Sequence, residues 1–402
     1  MSKNTHLEHL EDSILIDGTA GAKDAFIFLD DLARSFTGNT SSSFTVTTKW
    51  DGAPAIFCGL YPGTKRFFVG TKSVFNKDAK INYTNEDIDR NHGHAAGLVK
   101  KLKDALKYLP KLGITGVAQG DLLFTDDKTK KKINNQNCVI FQPNTITYCI
   151  PQEDELYEKA ASAKVGVVFH TEYVGSTLES MNAKFGYDVG KLTQSKNVLV
   201  LSAETGELGK DTLLTKEQQG YVSTVTKQKN LVAGSFLDLL AEHNSGKDQL
   251  ALGVRLKIFF NQYVRQGKKM GQTGKVVKEF KEYYQAEGQK AADKLKTAKG
   301  KASKIGKVCS GLREIEAHGK DLEKTIDLYK SLQSAKEVFI RKLEKGERFG
   351  TFLRTENGYD ITAPEGYVAI VEGDKAVKLV DRLAFSTANF NAEKNWVAGD
   401  GK

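Results

Sequence analysis

Phe44-Thr45-Val46-Thr47-Thr48-Lys49-Trp50-Asp51-Gly52 is the stretch from which the rest of the chain is read. Its first half is rich in β-branched residues and predicts a strand. Its end predicts a turn leading into a second apolar run, Ala53 to Phe57. Lys49-Trp50-Asp51-Gly52 has the form Lys-x-Asp-Gly. A lysine is nucleophilic only when its amine is deprotonated, and burial or neighbouring cations achieve this by lowering its pKa. A strand end inside an apolar pocket meets the first condition, so the sequence predicts a depressed pKa at Lys49.

Outward from this strand, residues 23–36 place Phe26, Leu29, Leu32, Ala33 and Phe36 at helical spacing, predicting an amphipathic helix packed on the first sheet. Between Phe44 and Val200 strand patterns dominate, interrupted by one helix, AAGLVKKLKDALKYLPKL, that stops near Pro110. From Thr212 to Gly346 the chain turns to long Lys/Glu/Ala/Leu/Gln helices, and strand signals return after Gly350. This order predicts an α+β protein with a helical insertion: residues 1–205 and 350–402 forming one domain and residues 206–349 the insertion.

The chain has 402 residues, of which 40% are hydrophobic, enough for a substantial core. No stretch approaches the roughly 20 apolar residues that cross a bilayer, and the start MSKNTHLEHLED is polar. No membrane partner and a cytoplasmic location are expected. Cys58, Cys138, Cys149 and Cys309 lack metal-ligand spacing and are expected to be unpaired thiols, with neither disulfide nor zinc. His92-Gly93-His94 reads as a helix-capping loop rather than a metal site, and His170 as a satisfied pocket histidine. The formal charge is +9, which favours polyanionic partners. From Gln289 to Lys307 seven lysines stand against one acid, Asp293. That run is either a solvated helix face or a contact surface for a phosphate backbone.

Further candidate site residues follow in order. Lys72 and Ser73, at the end of KRFFVGTKS, place a cation on a neighbouring strand. Gly120-Asp121 in GVAQGDL combines a close backbone approach with an acceptor for ribose hydroxyls. VGVVFHTEY offers Phe169 and Tyr173 for stacking on a base, and which of the two faces it stays open. Glu365-Gly366-Tyr367-Val368 and the strand carrying Lys378 would place a metal-binding carboxylate beside a phosphate-binding amine.

This ordered set resembles the covalent nucleotidyltransferases, the superfamily of ATP-dependent DNA and RNA ligases and mRNA capping enzymes, and within it is most similar to phage-type RNA ligases. The resemblance implies antiparallel sheets flanked by helices, a lysyl-AMP intermediate on Lys49, and ATP and Mg²⁺ as cofactors. It places Asp51, Gly52, Lys72, Asp121, Phe169 or Tyr173, and Lys378 around the nucleotide, with Glu365 on the metal. Its partner would be a 5′-phosphorylated nucleic acid, RNA rather than DNA, because no oligonucleotide-binding barrel follows Lys378. A phage-infected bacterial cell is the setting it suggests. Two departures stand out: Asp121 replaces a Glu, and Val380 replaces a second lysine, for which Lys375 or Arg382 could substitute. The resemblance covers residues 40–200 and 350–385 and leaves the helical stretch unmatched. Two alternatives remain: a nucleotidyltransferase that modifies a protein or small molecule, and a non-catalytic nucleic-acid-binding member of the fold.

Overall fold

Alternating β-branched and aromatic residues set most of the strands. In chain order these are β1 (Phe44–Lys49), β2 (Ala55–Leu60), β3 (Phe67–Gly70), β4 (Val117–Phe124), β5 (Thr129–Ile133), β6 (Gln136–Phe141), β7 (Ile146–Pro151), β8 (Val165–Val174), β9 (Asn182–Phe185), β10 (Val198–Ser202), β11 (Gly350–Thr355), β12 (Gly358–Ile361), β13 (Gly366–Val371) and β14 (Lys375–Leu379). The helices are α1 (Ser13–Ile16), α2 (Gly18–Ser35), α3 (Asn85–His92), α4 (Ala96–Tyr108), α5 (Tyr157–Ser162), α6 (Lys216–Thr226), α7 (Gly234–Ser245), α8 (Leu252–Arg265), α9 (Thr273–Asp293), α10 (Ala298–Ala317) and α11 (Gly319–Leu343). The structure, a computed structural model, describes residues 7–37, 44–133, 135–205, 210–228, 234–356, 358–371 and 375–386. Capping boxes, Thr84 with Asp87 and Thr215 with Gln218, start α3 and α6.

The protein is mixed α and β, with three sheets among the described residues. One is three-stranded, in the order β1-β13-β14; one is six-stranded, β10-β8-β4-β2-β3 with β9 on β8; one is five-stranded, β12-β11-β7-β6-β5. Strand pairs run antiparallel except β8 with β10, which is parallel. The helix pattern read before Pro110 is α4, whose Leu102 and Ala105 pack under the six-stranded sheet with Ile56, Leu122 and Phe169.

The long helices of the second half do not stand apart. Their core residues, among them Leu237, Phe260 and Tyr329, form one cluster with Phe26 and Leu29 of α2 and with Tyr367, Ala369 and Leu379 on one face of β13 and β14. The helix predicted to lie on the first sheet packs instead mainly on α6, α7 and α11. It reaches β1 through Phe28 and Phe44, whose rings stand edge to face at 5.3 Å. Buried charges cross the same core. Lys336 of α11 pairs with Glu11 at 2.7 Å, and Arg382 donates to Asp12 at 3.1 Å while Tyr329 donates to Asp12 at 2.8 Å.

The cysteine expectation is corrected. Cys138 and Cys149 are joined by a disulfide, whereas Cys58 and Cys309 are free. The two sit on adjacent antiparallel strands, β6 and β7, with Cα atoms 5.6 Å apart, a proximity created by strand register that spacing in the sequence does not reveal.

Candidate active site between two sheets

The site is built by pairing distant strands. β1 and β13 run antiparallel in a register that sets Lys49 opposite Gly366, so Glu365 arrives beside Lys49 although 316 residues separate them. Gly366 makes the approach possible: its φ is 144°, and a Cβ there would lie 2.6 Å from the Leu379 carbonyl oxygen. Lys49 Nζ forms an ion pair with Glu365 Oε1. On β14, Lys378 lies opposite Val368. Alternation then divides the three-stranded sheet. Thr47, Lys49, Val368, Ile370 and Lys378 line a cavity, while Tyr367, Ala369 and Leu379 enter the helical core.

The facing wall belongs to the six-stranded sheet. Ala55 and Phe57 of β2, Gln119 and Asp121 of β4, His170, Thr171 and Tyr173 of β8, and Phe185 of β9 complete a cavity of about 420 Å³. Lys49, Lys72, Asp121, Tyr173 and Lys378 all line it, and Glu365 is joined to it through the Lys49 ion pair.

The structure distinguishes Tyr173 from Phe169. In an unbroken strand both would share a face, but β8 carries a bulge: Thr171 pairs with Gln119 and Phe169 with the next residue, Gly120, leaving His170 as the extra residue. The bulge reverses the alternation. Tyr173 therefore faces the cavity, where its hydroxyl donates to Gln119 Oε1 at 3.0 Å and its ring packs 5.0 Å from Phe75. Phe169 is wholly buried on the opposite side, packed on Tyr187. Lys72 is also placed differently from the expectation, since β3 ends at Gly70 and Lys72 opens a 3₁₀ turn, Lys72–Phe75.

Asp51 serves the scaffold. Its Oδ1 accepts from Asn144 at 2.7 Å and its Oδ2 from the backbone N–H groups of Thr145 and Ile146 at 2.7 and 2.8 Å. Its own N–H donates to the Tyr148 hydroxyl at 2.7 Å. The carboxylate thus clamps the β6–β7 turn beneath the strand that carries Lys49. Gly52 is needed because a Cβ there would lie 2.3 Å from the Asp121 Cβ. Val380, where a second lysine was expected, is buried in an apolar cluster with Trp50 and Phe124. Arg382 does not replace it, being held by Asp12, Tyr329 and Asn261 away from the cavity. The side chain of Lys375 lies outside the described residues.

Electrostatics reverse one expectation. Burial pulls the Lys49 pKa down, but the Glu365 carboxylate, with Asp121 and Asp51 behind it, outweighs burial and holds it above the ordinary value. Sequence reasoning missed this because the carboxylate with the largest pull, Glu365, comes from a strand distant in the chain. Burial pushes Glu365 and Asp121 each up to about 7, against the pull of Lys49. His170, 3.6 Å from Asp121, is lowered to about 4 by burial and by Lys49, and so is neutral at pH 7. Burial and Lys49 also lower Lys378.

Gln119, Thr47 and Thr171 are cavity residues that the sequence reading did not single out. Gln119 was within reach, since it stands two residues before Asp121 and so on the same strand face. Glu365 is suited to bind a hard cation, which takes one or two carboxylates together with waters and phosphate oxygens. Among the described residues no group of three or more His, Cys, Asp or Glu forms a self-sufficient metal cage. Also among them, no helix is long and apolar enough to cross a membrane.

Residues 4–394 match a family of unknown function, DUF6267. The chain belongs to that family. No curated protein and no solved structure matches it.

Proposed function

We propose that the chain is an ATP-dependent polynucleotide ligase of the covalent nucleotidyltransferase type, acting on 5′-phosphorylated RNA through a lysyl-AMP intermediate on Lys49. The observation that carries this reading is the convergence on one cavity of Lys49, Asp121, Tyr173 and Lys378, residues drawn from four strands, with Glu365 paired to Lys49. Its volume, about 420 Å³, suits a nucleotide.

In this reading Tyr173 packs on the base and Asp121 accepts from the ribose. Lys378 and Lys72 hold phosphate oxygens. The Lys49 ammonium first leaves Glu365 and gives up its proton to solvent water, a loss favoured by the neighbouring Lys378 cation. The amine then attacks the α-phosphorus: the N–P bond forms, the bond to the bridging oxygen breaks, and pyrophosphate leaves with the electron pair. AMP passes next to an RNA 5′-phosphate, and a 3′-hydroxyl displaces it to seal the strand. Glu365 would help hold Mg²⁺ jointly with the substrate's phosphates. The ion would supply neutralisation of their charge.

The test is intact mass after incubation with ATP and Mg²⁺. Wild type should gain one AMP and Lys49→Ala none, and a 5′-phosphorylated RNA should then be joined. The Lys49–Glu365 ion pair motivates one competing reading, a non-catalytic nucleic-acid-binding protein. Absence of any adduct with ATP or GTP would favour it.

A further inference from the structure

α9 and α10 form an antiparallel hairpin whose tip carries the lysine run. Close packing makes the hairpin stiff. A Cβ on Gly288 would lie 2.1 Å from Val308 Cγ2, and one on Gly311 the same distance from the Tyr284 hydroxyl. Tyr284, Ala292, Val308 and Ile315 are buried along the seam, and Tyr284 donates to the Leu250 carbonyl at 2.7 Å. Thr297 caps α10 by accepting from the Gly300 N–H at 3.2 Å, fixing the turn.

The charge on this tip is almost unopposed. No acid occurs between Asp293 and Glu314. Lys290 pairs with Glu287 and Lys307 with Asp248, each at 2.9 Å. Lys294, Lys296, Lys299 and Lys301 are exposed and make no salt bridge among the described residues. A solvated helix face normally interleaves both signs, as α11 does with Asp321–Lys324 and Glu337–Arg341. Here that compensation stops where the chain turns.

We infer that the α9–α10 tip is a contact surface for the phosphate backbone of a nucleic acid, separate from the nucleotide cavity and independent of sequence. Charge complementarity selects this occupant: exposed amines on a rigid turn match closely spaced phosphates, and residues 290–307 contain no aromatic side chain on which a base could stack. An anionic membrane would call for a broader apolar face than the single exposed Leu295 supplies.

The test reads anisotropy of a fluorescent 5′-phosphorylated single-stranded RNA, titrated with the full chain without ATP at several salt concentrations. Replacing Lys294, Lys296 and Lys299 together by Gln should weaken binding about tenfold or more and reduce the slope of log affinity against log salt by about 2. Replacing the same three by Arg should retain binding. The matched triple Gln variant of Lys130, Lys131 and Lys132 on β5, also exposed, removes equal charge elsewhere and should leave affinity near wild type. Equal losses in both Gln variants, or no loss in the first, would overturn the proposal. So would binding to phosphatidylserine-containing vesicles without binding to RNA. The Lys294, Lys296 and Lys299 triple Gln variant should still gain one AMP from ATP, since none of the three lines the cavity, so this surface and the ligase chemistry can fail separately.

Discussion

Asp51 occupies a motif position, yet its contacts are those of a structural clamp. Removing its carboxylate strands the N–H groups of Thr145 and Ile146 and the amide of Asn144. Asp51→Ala should therefore cost about 3 kcal/mol or more of stability, measured by denaturant unfolding. Asp121 makes a contrasting prediction. Its folded-state pKa, near 7, lies above its ordinary value because burial disfavours the charge, so between about pH 4 and 7 the folded protein holds a proton that the unfolded chain has released. Stability from this group is greatest at low pH and declines as pH rises through 7. Asp121→Asn should flatten that decline and raise stability at pH 8 by roughly 2 kcal/mol, read from unfolding curves across pH. An unchanged pH profile would show that Asp121 is ionised without penalty.

At the scale of elements, register does what no short motif can. Lys-x-Asp-Gly, Glu365-Gly366 and Lys378 are local patterns and were legible, as were α4, α11 and most strands. The choice between Phe169 and Tyr173 was not, because it depends on the bulge at His170, which switches faces without a sequence mark. The Cys138–Cys149 bond and the direction of the Lys49 shift escaped for a related reason: each depends on which strands become neighbours. β5 and β9 were unread because Thr129–Ile133 is mostly lysine and Asn182–Phe185 is too short to display a period. Gly366→Ala tests the register directly. A side chain at φ 144°, facing the Leu379 carbonyl, should cost about 2 kcal/mol or more and, by displacing Glu365, should reduce the AMP adduct more than it reduces helicity.

For the molecule as a whole, the buried Glu11–Lys336 pair ties the N-terminal turn to α11, while Arg382, just past β14, reaches the same turn through Asp12. Lys336→Met alone would leave buried Glu11 without its hydrogen-bonded partner, with only Arg382 at 3.8 Å to offset its charge, and should destabilise by about 3 kcal/mol; adding Glu11→Leu should recover much of that loss. A double-mutant cycle by urea unfolding measures the difference. The three-stranded sheet has a further consequence, one of timing. β1 must wait for β13, so with Lys49 and Glu365 316 residues apart, a ribosome adding 5–20 residues per second leaves the lysine without its partner for roughly 15 s to a minute. During synthesis β1 presents an unpaired edge, and any nucleotide chemistry at Lys49 begins only once nearly the whole chain has emerged.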